Sequence, residues 1–275
     1  MEYINCPICG KNQHEIFKTF HLAENIDTFK LVECKCKFIF LNPRPNSLEI
    51  KKYYDEEYLP HMESNTLFTK IYNLFQKITF KWKLNIIKKN IPNYSNVLDI
   101  GGGNGDFASY LNNNNITTTN YEPNLSRFKS SLEDFVNNNV KFDLIMLWHS
   151  LEHIHNINET LVICNKLLNK DGRIIIAIPN HDAYEREFFK DAWIAYDIPR
   201  HLYHFNNTTF KNLAKLHDFN VIKSFRMYQD TLFNILLSFK SYNIFKFIYI
   251  VTISLINIIV QKSRSSSILY ICKKI

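Results

Sequence analysis

One stretch limits the folds open to this 275-residue chain: VLDIGGGNGDF at 97–107. Val97, Leu98, Asp99 and Ile100 make a short apolar run carrying one carboxylate, and Gly101, Gly102, Gly103, Asn104 and Gly105 follow before Asp106 and Phe107. The pattern predicts a buried strand that enters a tight turn into a helix. Glycine suits such a turn because backbone laid against a ligand needs positive φ angles and has no room for a Cβ. The spacing is G-x-G-x-G, whereas a dinucleotide fingerprint sets its third glycine one residue later, to seat a pyrophosphate on the helix N-terminus. Asp106 occupies that place, so a ligand without phosphates fits better.

A helix is expected over 107–111, the asparagine run 112–115 stops it, and the alternating 116–122 reads as a strand ending in Glu122. In an open parallel sheet the ligand lies at the carboxyl ends of the strands, so Asp99 and Glu122 share one edge. Two carboxylates at consecutive strand ends suit an ammonium group and a ribose diol, the polarity of S-adenosylmethionine. Through VLDIGGGNG (97–105), NYEP (120–123) and FDLIMLWHSLEHI (142–154), the sequence resembles the class I S-adenosylmethionine-dependent methyltransferases, over roughly two thirds of its length. The resemblance implies an α/β fold with a doubly wound, seven-stranded Rossmann-like sheet and an antiparallel edge strand. It implies that Asp99, Gly101, Gly103, Gly105 and Glu122 hold the donor and that Trp148 stands near it. It also brings SSLEDF (130–135) past the adenine, with Leu132, Glu133 and Asp134 as contacts. A glycine turn in some other α/β protein would leave both carboxylates and the later stretches unexplained.

With 46% hydrophobic residues the chain can bury a full core. Its net charge of +7 is spread over lysines scattered among asparagines and isoleucines, which is no nucleic-acid footprint, though it is compatible with an anionic substrate or membrane surface. Residues 1–6 lack a basic region followed by an apolar core, so the expected compartment is cytoplasmic and the six cysteines are expected reduced. Cys164 and Cys272 sit in apolar surroundings and read as core residues.

The other four form two close pairs in a segment, 1–45, with little core of its own. Cys6-Pro7-Ile8-Cys9-Gly10 is a knuckle that points two thiolates at one ion, and Cys34-Lys35-Cys36 would complete a tetrahedral zinc site. The second pair has one intervening residue where the usual ribbon has two, and a remnant ribbon without metal is the competing reading. Four thiolates leave no open coordination position, so Cys6, Cys9, Cys34 and Cys36 predict structural rather than catalytic zinc. With Asn42-Pro43-Arg44-Pro45 and the YYDEEY stretch at 53–58, this layout resembles a bacterial methyltransferase subgroup carrying an N-terminal cysteine motif, a layout sugar C-methyltransferases share. The tyrosines either line a substrate entrance or pack at a domain junction. A helical lead-in, 46–93, follows, with Leu67, Ile71, Leu74, Phe75, Ile78 and Trp82 on one stripe, and the methyltransferase domain is expected over 94–275.

The acceptor side is less determined. The apolar run 142–147 reads as a buried strand ending in Trp148-His149-Ser150-Leu151-Glu152-His153. His149, Glu152 and His153 match the H-x-x-E-H of inverted zinc peptidases, but those carry it inside a helix. Quinone O-methyltransferases, which the chain resembles here, suggest a divalent metal instead, with an acidic residue in place of His149. His153 is a candidate general base; the alternative is that Glu152 and His153 cap the following helix. After a strand at 173–178, the polar and aromatic connection 181–205 reads as a lid or substrate loop. It offers His201 and His204 as a second pair of bases and Arg200 for a carboxylate or phosphate, unless these plug the sheet structurally. Thr208 or Thr209 caps a helix to His217, and strands are expected at 221–227 and 267–273. Between them lies an apolar insertion, 230–262. Its uninterrupted run, 247–260, falls short of the about 20 residues a membrane span needs, so it reads as a helical hairpin over the active site or as a peripheral contact with a membrane.

Together these readings predict methyl transfer to a small-molecule acceptor (a sugar, a quinone or a lipid-linked intermediate) in the cytoplasm, with 230–262 either covering the active site or making a peripheral membrane contact. Two alternatives remain. One is a nucleic-acid methyltransferase or zinc-ribbon binding module, against which LWHS (147–150) lacks the N/D-P-P-Y/F type of tip. The other is a donor-binding scaffold without catalysis.

Overall fold

A computed structural model describes the chain except for 22–26, 55–66, 124–130 and 240–242, and gives backbone alone for 67–75 and 262. Residues 55–58 of the tyrosine-rich stretch, Ser130, and the side chains of Leu67, Ile71, Leu74 and Phe75 therefore lie outside the described residues.

The chain begins with β1 (His14–His21), β2 (Thr28–Cys34) and β3 (Ile39–Leu41), and α1 (Leu67–Asn90) leads into the larger sheet. There β4 (Asn96–Ile100), α2 (Asp106–Asn112), β5 (Thr117–Tyr121), α3 (Leu132–Asn137), β6 (Phe142–Trp148), α4 (Ile157–Leu167) and β7 (Leu168–Pro179) alternate as the sequence predicts. The short α5 (Arg186–Phe189) and β8 (Tyr203–His204) lie in the long connection, and α6 (Asn207–Leu216), β9 (Phe219–Arg226), α7 (Tyr228–Ser238), α8 (Ile244–Val260) and β10 (Ser267–Lys274) complete the chain.

Among the described residues the main sheet has six strands, in the order β5-β4-β6-β7-β10-β9, where seven were expected. Between β5 and β6 the described residues form the helix α3 and no strand. The last two strands, β9 and β10, form the antiparallel edge expected of them. β10 runs antiparallel to both β7 and β9 and lies between them, leaving β9 at the edge. The residues explain the order: 267–272 of β10 are all buried, as an interior strand requires, whereas β9 keeps only Phe219 fully covered.

Both faces of the sheet are covered, so its central strands are apolar throughout. On β6, Leu144, Met146 and Trp148 face the cluster formed with α1 and α2, while Ile145 and Leu147 face the other side. Of the expected stripe residues of α1 whose side chains are described, Trp82 packs against the cluster on the sheet face bearing Val97 and Met146, while Ile78 is 57% exposed; Phe80, Leu84 and Ile87 join Trp82 there. Cys164 and Cys272 are buried as expected.

The N-terminal strands form their own antiparallel sheet, β1-β2-β3, which β8 from the 181–205 connection completes. Phe29, Leu31, Phe38 and Phe40 join one apolar cluster with Leu98, Ile145 and Ile176 of the main sheet. Arg44 ties the junction: it is buried and donates to Glu2, to the Tyr203 hydroxyl at 2.6 Å and to the His155 carbonyl at 3.1 Å.

Candidate functional site

The glycine loop is built as a crossing point. Gly101, Gly103 and Gly105 have φ of 75°, 54° and 83°, the left-handed region in which a Cβ is strained. Gly101 is the most constrained, since a Cβ there would lie 2.4 Å from that of Ser150, whose hydroxyl donates to the Ile100 carbonyl at 2.8 Å. The ends of β4 and β6 thus touch through a glycine and a serine. At Gly103 a Cβ would meet nothing within 4 Å, so this glycine borders open space. Its N–H donates to Glu122 Oε2 at 3.2 Å and its carbonyl accepts from Asn120 Nδ2 at 3.0 Å.

Asp99 lies opposite Asn120 in the sheet and is 2% exposed. Burial pushes its carboxyl up to about 6, with Lys83 pulling the other way and Glu122 adding to the rise. Asp99 Oδ1, Asn120 Oδ1 and Trp148 Nε1 are buried without a hydrogen-bond partner. A ligand bearing both donors and acceptors at this strand edge would satisfy groups that are costly to leave unpaired. Trp148 is buried with the Lys83 ammonium 4.3 Å from its ring centroid and Phe107 edge-on at 5.9 Å. Leu132 is buried just after Ser131, which caps α3 in a reciprocal box with Asp134. Asp134 is thereby engaged in capping.

Beyond Trp148 the chain turns sharply, with His149 at φ 53° and a single 3-10 turn over Leu151–His153. The H-x-x-E-H residues therefore lie outside any α-helix, which removes the peptidase geometry. Nor do Glu152 and His153 cap the next helix, which starts at Ile157, because both Glu152 carboxylate oxygens are buried without a hydrogen bond. His149 turns its Nε2 to Asp230 at 2.8 Å while its Nδ1 stays 3.6 Å from Glu152 Oε1. Burial opposes its charge, but Asp230 and Glu152 outweigh burial and raise it to about 10.

The remaining pair meets a residue from the long connection. Glu152, His153 and His201 each place one ligand atom within 4.8 Å of the other two. His153 Nδ1 lies 3.0 Å from the Arg200 carbonyl and from the Tyr54 hydroxyl, and His201 Nδ1 lies 2.9 Å from the Ala195 carbonyl. A carbonyl only accepts, so each Nδ1 carries a proton; His153 Nε2 is left with its lone pair, while His201 Nε2 lies 3.7 Å from Asp197 Oδ2. Burial, helped by His201, lowers His153 to about 4. Burial also opposes the charge of Glu152, yet the His149 imidazolium 3.6 Å away holds it below the usual carboxylate range.

His204 does not join this cluster. It pairs with Ile39 in the small sheet, and its ring faces Tyr196 and His181, with Nε2 buried and unpartnered. Arg200 is engaged by Asp197 through its Nε at 3.0 Å, so the guanidinium is not presented to an anion as expected.

Residues 70–224 match a family described as a methyltransferase domain. That span is more than half of the sequence. The chain belongs to this methyltransferase family. It is an enzyme of the S-adenosylmethionine-dependent class. No curated protein sequence matches this methyltransferase. Among solved structures it is similar to a SAM dependent methyltransferase from Archaeoglobus fulgidus, with 19% identity over 74% of this chain and 99% of that one and a TM-score of 0.47. It is also similar to Haemonchus contortus phosphoethanolamine N-methyltransferase 2 in complex with S-adenosyl-L-methionine, with 15% identity over 70% of this chain and 52% of that one and a TM-score of 0.46. A third is an S-adenosylmethionine-dependent methyltransferase from Clostridium acetobutylicum, with 11% identity over 76% and 99% of the two chains and a TM-score of 0.44.

Outside the region matched by the family, Cys6, Cys9, Cys34 and Cys36 converge within 4.8 Å. The Cys6–Cys36 and Cys9–Cys34 sulfurs are 3.5 and 3.4 Å apart. The unequal spacings are absorbed by two turns. Gly10 at φ 71° closes on the Cys6 carbonyl, and Lys37 at φ 70° closes on that of Cys34.

Three residues with a place in this site were not foreseen. Lys83 sits over Trp148 from α1, Asp230 reaches His149 from α7, and Tyr54 touches His153. Lys83 and Asp230 lie in helices whose residue pattern gives no sign of what they face. Tyr54 belongs to a stretch that the sequence had marked either as an entrance or as packing.

Proposed function

We propose that this methyltransferase acts on a small-molecule acceptor whose proton is taken by His153. Asp99 and Glu122 hold the donor's ammonium and ribose, Gly101, Gly103 and Gly105 let the backbone approach it, and Leu132 and Trp148 flank it. Bound S-adenosylmethionine supplies a methyl group activated by its sulfonium. The chain's own task is to align the acceptor and manage one proton. The reading rests on one observation: two imidazoles with Nδ1 tied to carbonyls converge on a buried carboxylate that has no closer side-chain contact than His149 at 3.6 Å. Such a group has acceptors in excess and lacks a proton, which an acceptor hydroxyl, amine or activated C–H would provide. Glu152 then stabilises the imidazolium, and His201 positions the ring.

The four thiols support a structural zinc. A tetrahedral ion at about 2.3 Å from each sulfur sets the sulfurs about 3.8 Å apart, close to the separations here.

Calorimetry with S-adenosylmethionine tests the donor site: saturable binding is expected, and binding that persists unchanged in Asp99→Ala sinks the reading. Labelled donor incubated with fractionated cell extract tests the acceptor. Label in small molecules, lost in His153→Gln with donor binding kept, is the expected result. Nuclease-sensitive label would move the assignment to nucleic acid, and absence of label would leave a scaffold.

A further inference from the structure

The α7–α8 hairpin is covered on the wrong side for a helix pair in water. On α8 the inward stripe is Ile250, Ser254 and Ile258, and the Ser254 hydroxyl is buried without a partner. The outward side carries Phe245 at 82% exposure, Ile248, Tyr249, Ile256 and Val260 at 74%. Ten of the twenty-two exposed large apolar side chains among the described residues lie between 232 and 260. An apolar outer face around a partly polar inner stripe fits contact with a second apolar medium.

The ends of α8 are prepared for such a medium. Asn243 Oδ1 accepts from the Lys246 N–H at 3.1 Å, and Arg226 Nη1 donates to the Ile258 and Ile259 carbonyls at 2.6 and 3.2 Å. End groups that water would otherwise serve are met by side chains. Charge selects the occupant. From 231 to 275 the sequence has six lysines and arginines and no aspartate or glutamate, and Lys246 is exposed on the hairpin. Lys246 is the only charged residue of α8, and the one acid of α7, Asp230, is turned inward to His149, so a second copy offers this face no acid to meet whereas an anionic lipid surface attracts it. No helix among the described residues is long and apolar enough to cross a membrane.

We infer that the α7–α8 hairpin docks this methyltransferase on an anionic lipid bilayer, lying in the headgroup boundary, so that its acceptor is presented at that surface. The placement supports this use, and the hairpin lies outside the span shared with the family. Asp230 in the first turn of α7 holds His149, and Ser238 in its last turn accepts from the Ile194 N–H at 2.9 Å. The docked element is therefore fastened to the 148–153 tip and to the loop carrying His201. The membrane-borne acceptor rests on the methyl-transfer reading; the docking itself does not.

Flotation of the full chain with large unilamellar vesicles tests it, using phosphatidylcholine alone and phosphatidylcholine mixed with phosphatidylglycerol. The protein should float with the mixed vesicles at low salt, with at least tenfold weaker partition to the neutral ones. Phe245→Asp combined with Ile248→Asp, both at exposed positions, should cut partition at least tenfold while leaving S-adenosylmethionine binding unchanged. Lys246→Glu should weaken only the salt-sensitive part. A chain that binds S-adenosylmethionine but stays with the buffer at low salt overturns docking, as does a dimer dispersed by the Phe245/Ile248 variant with no flotation. Flotation without donor binding would instead count against the methyl-transfer reading alone.

Discussion

At single positions, the loop glycines are not equivalent. Gly101 combines a left-handed φ with a neighbour at 2.4 Å that belongs to a fixed strand end, whereas Gly103 borders open space. Gly101→Ala should therefore destabilise the fold by more than about 2 kcal/mol, against about 1–2 kcal/mol for the backbone strain alone at Gly103→Ala. Thermal or urea unfolding compares the two, and equal losses would refute the crossing-point account. Gly103→Ala should instead weaken S-adenosylmethionine binding. Asp99 adds a pH signature. Because its carboxyl is raised to about 6, it is charged above that pH and protonated below, so affinity for the cationic donor should fall as pH drops through about 6. Titrations at pH 5 and 8 measure this, and Asp99→Asn should flatten the difference. The glycine spacing and both carboxylates were legible in sequence because close backbone approach leaves few residue choices. Asn120's brace on the loop was not, since an asparagine in a strand has many uses.

Among the elements, the turn after β6 and the start of α7 are joined by His149 and Asp230. His149 is raised from its ordinary 6.5 to about 10, so the folded state binds its proton more tightly than the unfolded chain does. The stabilisation is fully present below pH 6.5 and is lost as pH rises toward 10. Melting temperature should accordingly decline between pH 7 and 10, and more steeply than in Asp230→Asn, which lacks the partner. Parallel curves for the two proteins would remove the pair from the account. Sequence pattern identified 230–262 as a helical hairpin but not the His149–Asp230 contact that fastens it, because the two residues are 81 positions apart. The uniformly apolar SILYIC of β10 itself marks a strand covered on both faces. The cap of α6 is Asn206, two residues before Thr208: its side chain accepts from the Thr208 and Thr209 N–H groups, with Thr209 answering.

Over the whole molecule, the cysteine segment and the catalytic sheet share a core and a strand. β8 follows His201 by one residue and hydrogen-bonds to β3, whose hairpin partner β2 ends in Cys34. If zinc holds the thiols, its removal loosens the sheet that sets the His201 loop while leaving the glycine loop in place. Purified protein should carry close to one zinc per chain, and a chelator or Cys9→Ser should reduce methyl transfer well before donor affinity. Metal content near zero, or equal loss of both, would contradict that coupling.

The sequence by itself determined the donor side. A strand, a glycine turn and two carboxylates at strand ends are local devices, each readable within about ten residues. It also determined the covered sheet, since interior strands admit only apolar residues. Tertiary structure alone decided which residues gather beyond the end of β6. Glu152, His153 and His201 meet because a loop returns across the sheet edge after nearly fifty residues, and Lys83, Asp230 and Tyr54 arrive from helices and turns whose local pattern is indifferent to their partners. Their roles depend on burial and on distances between remote segments, and neither is encoded in any short run of residues.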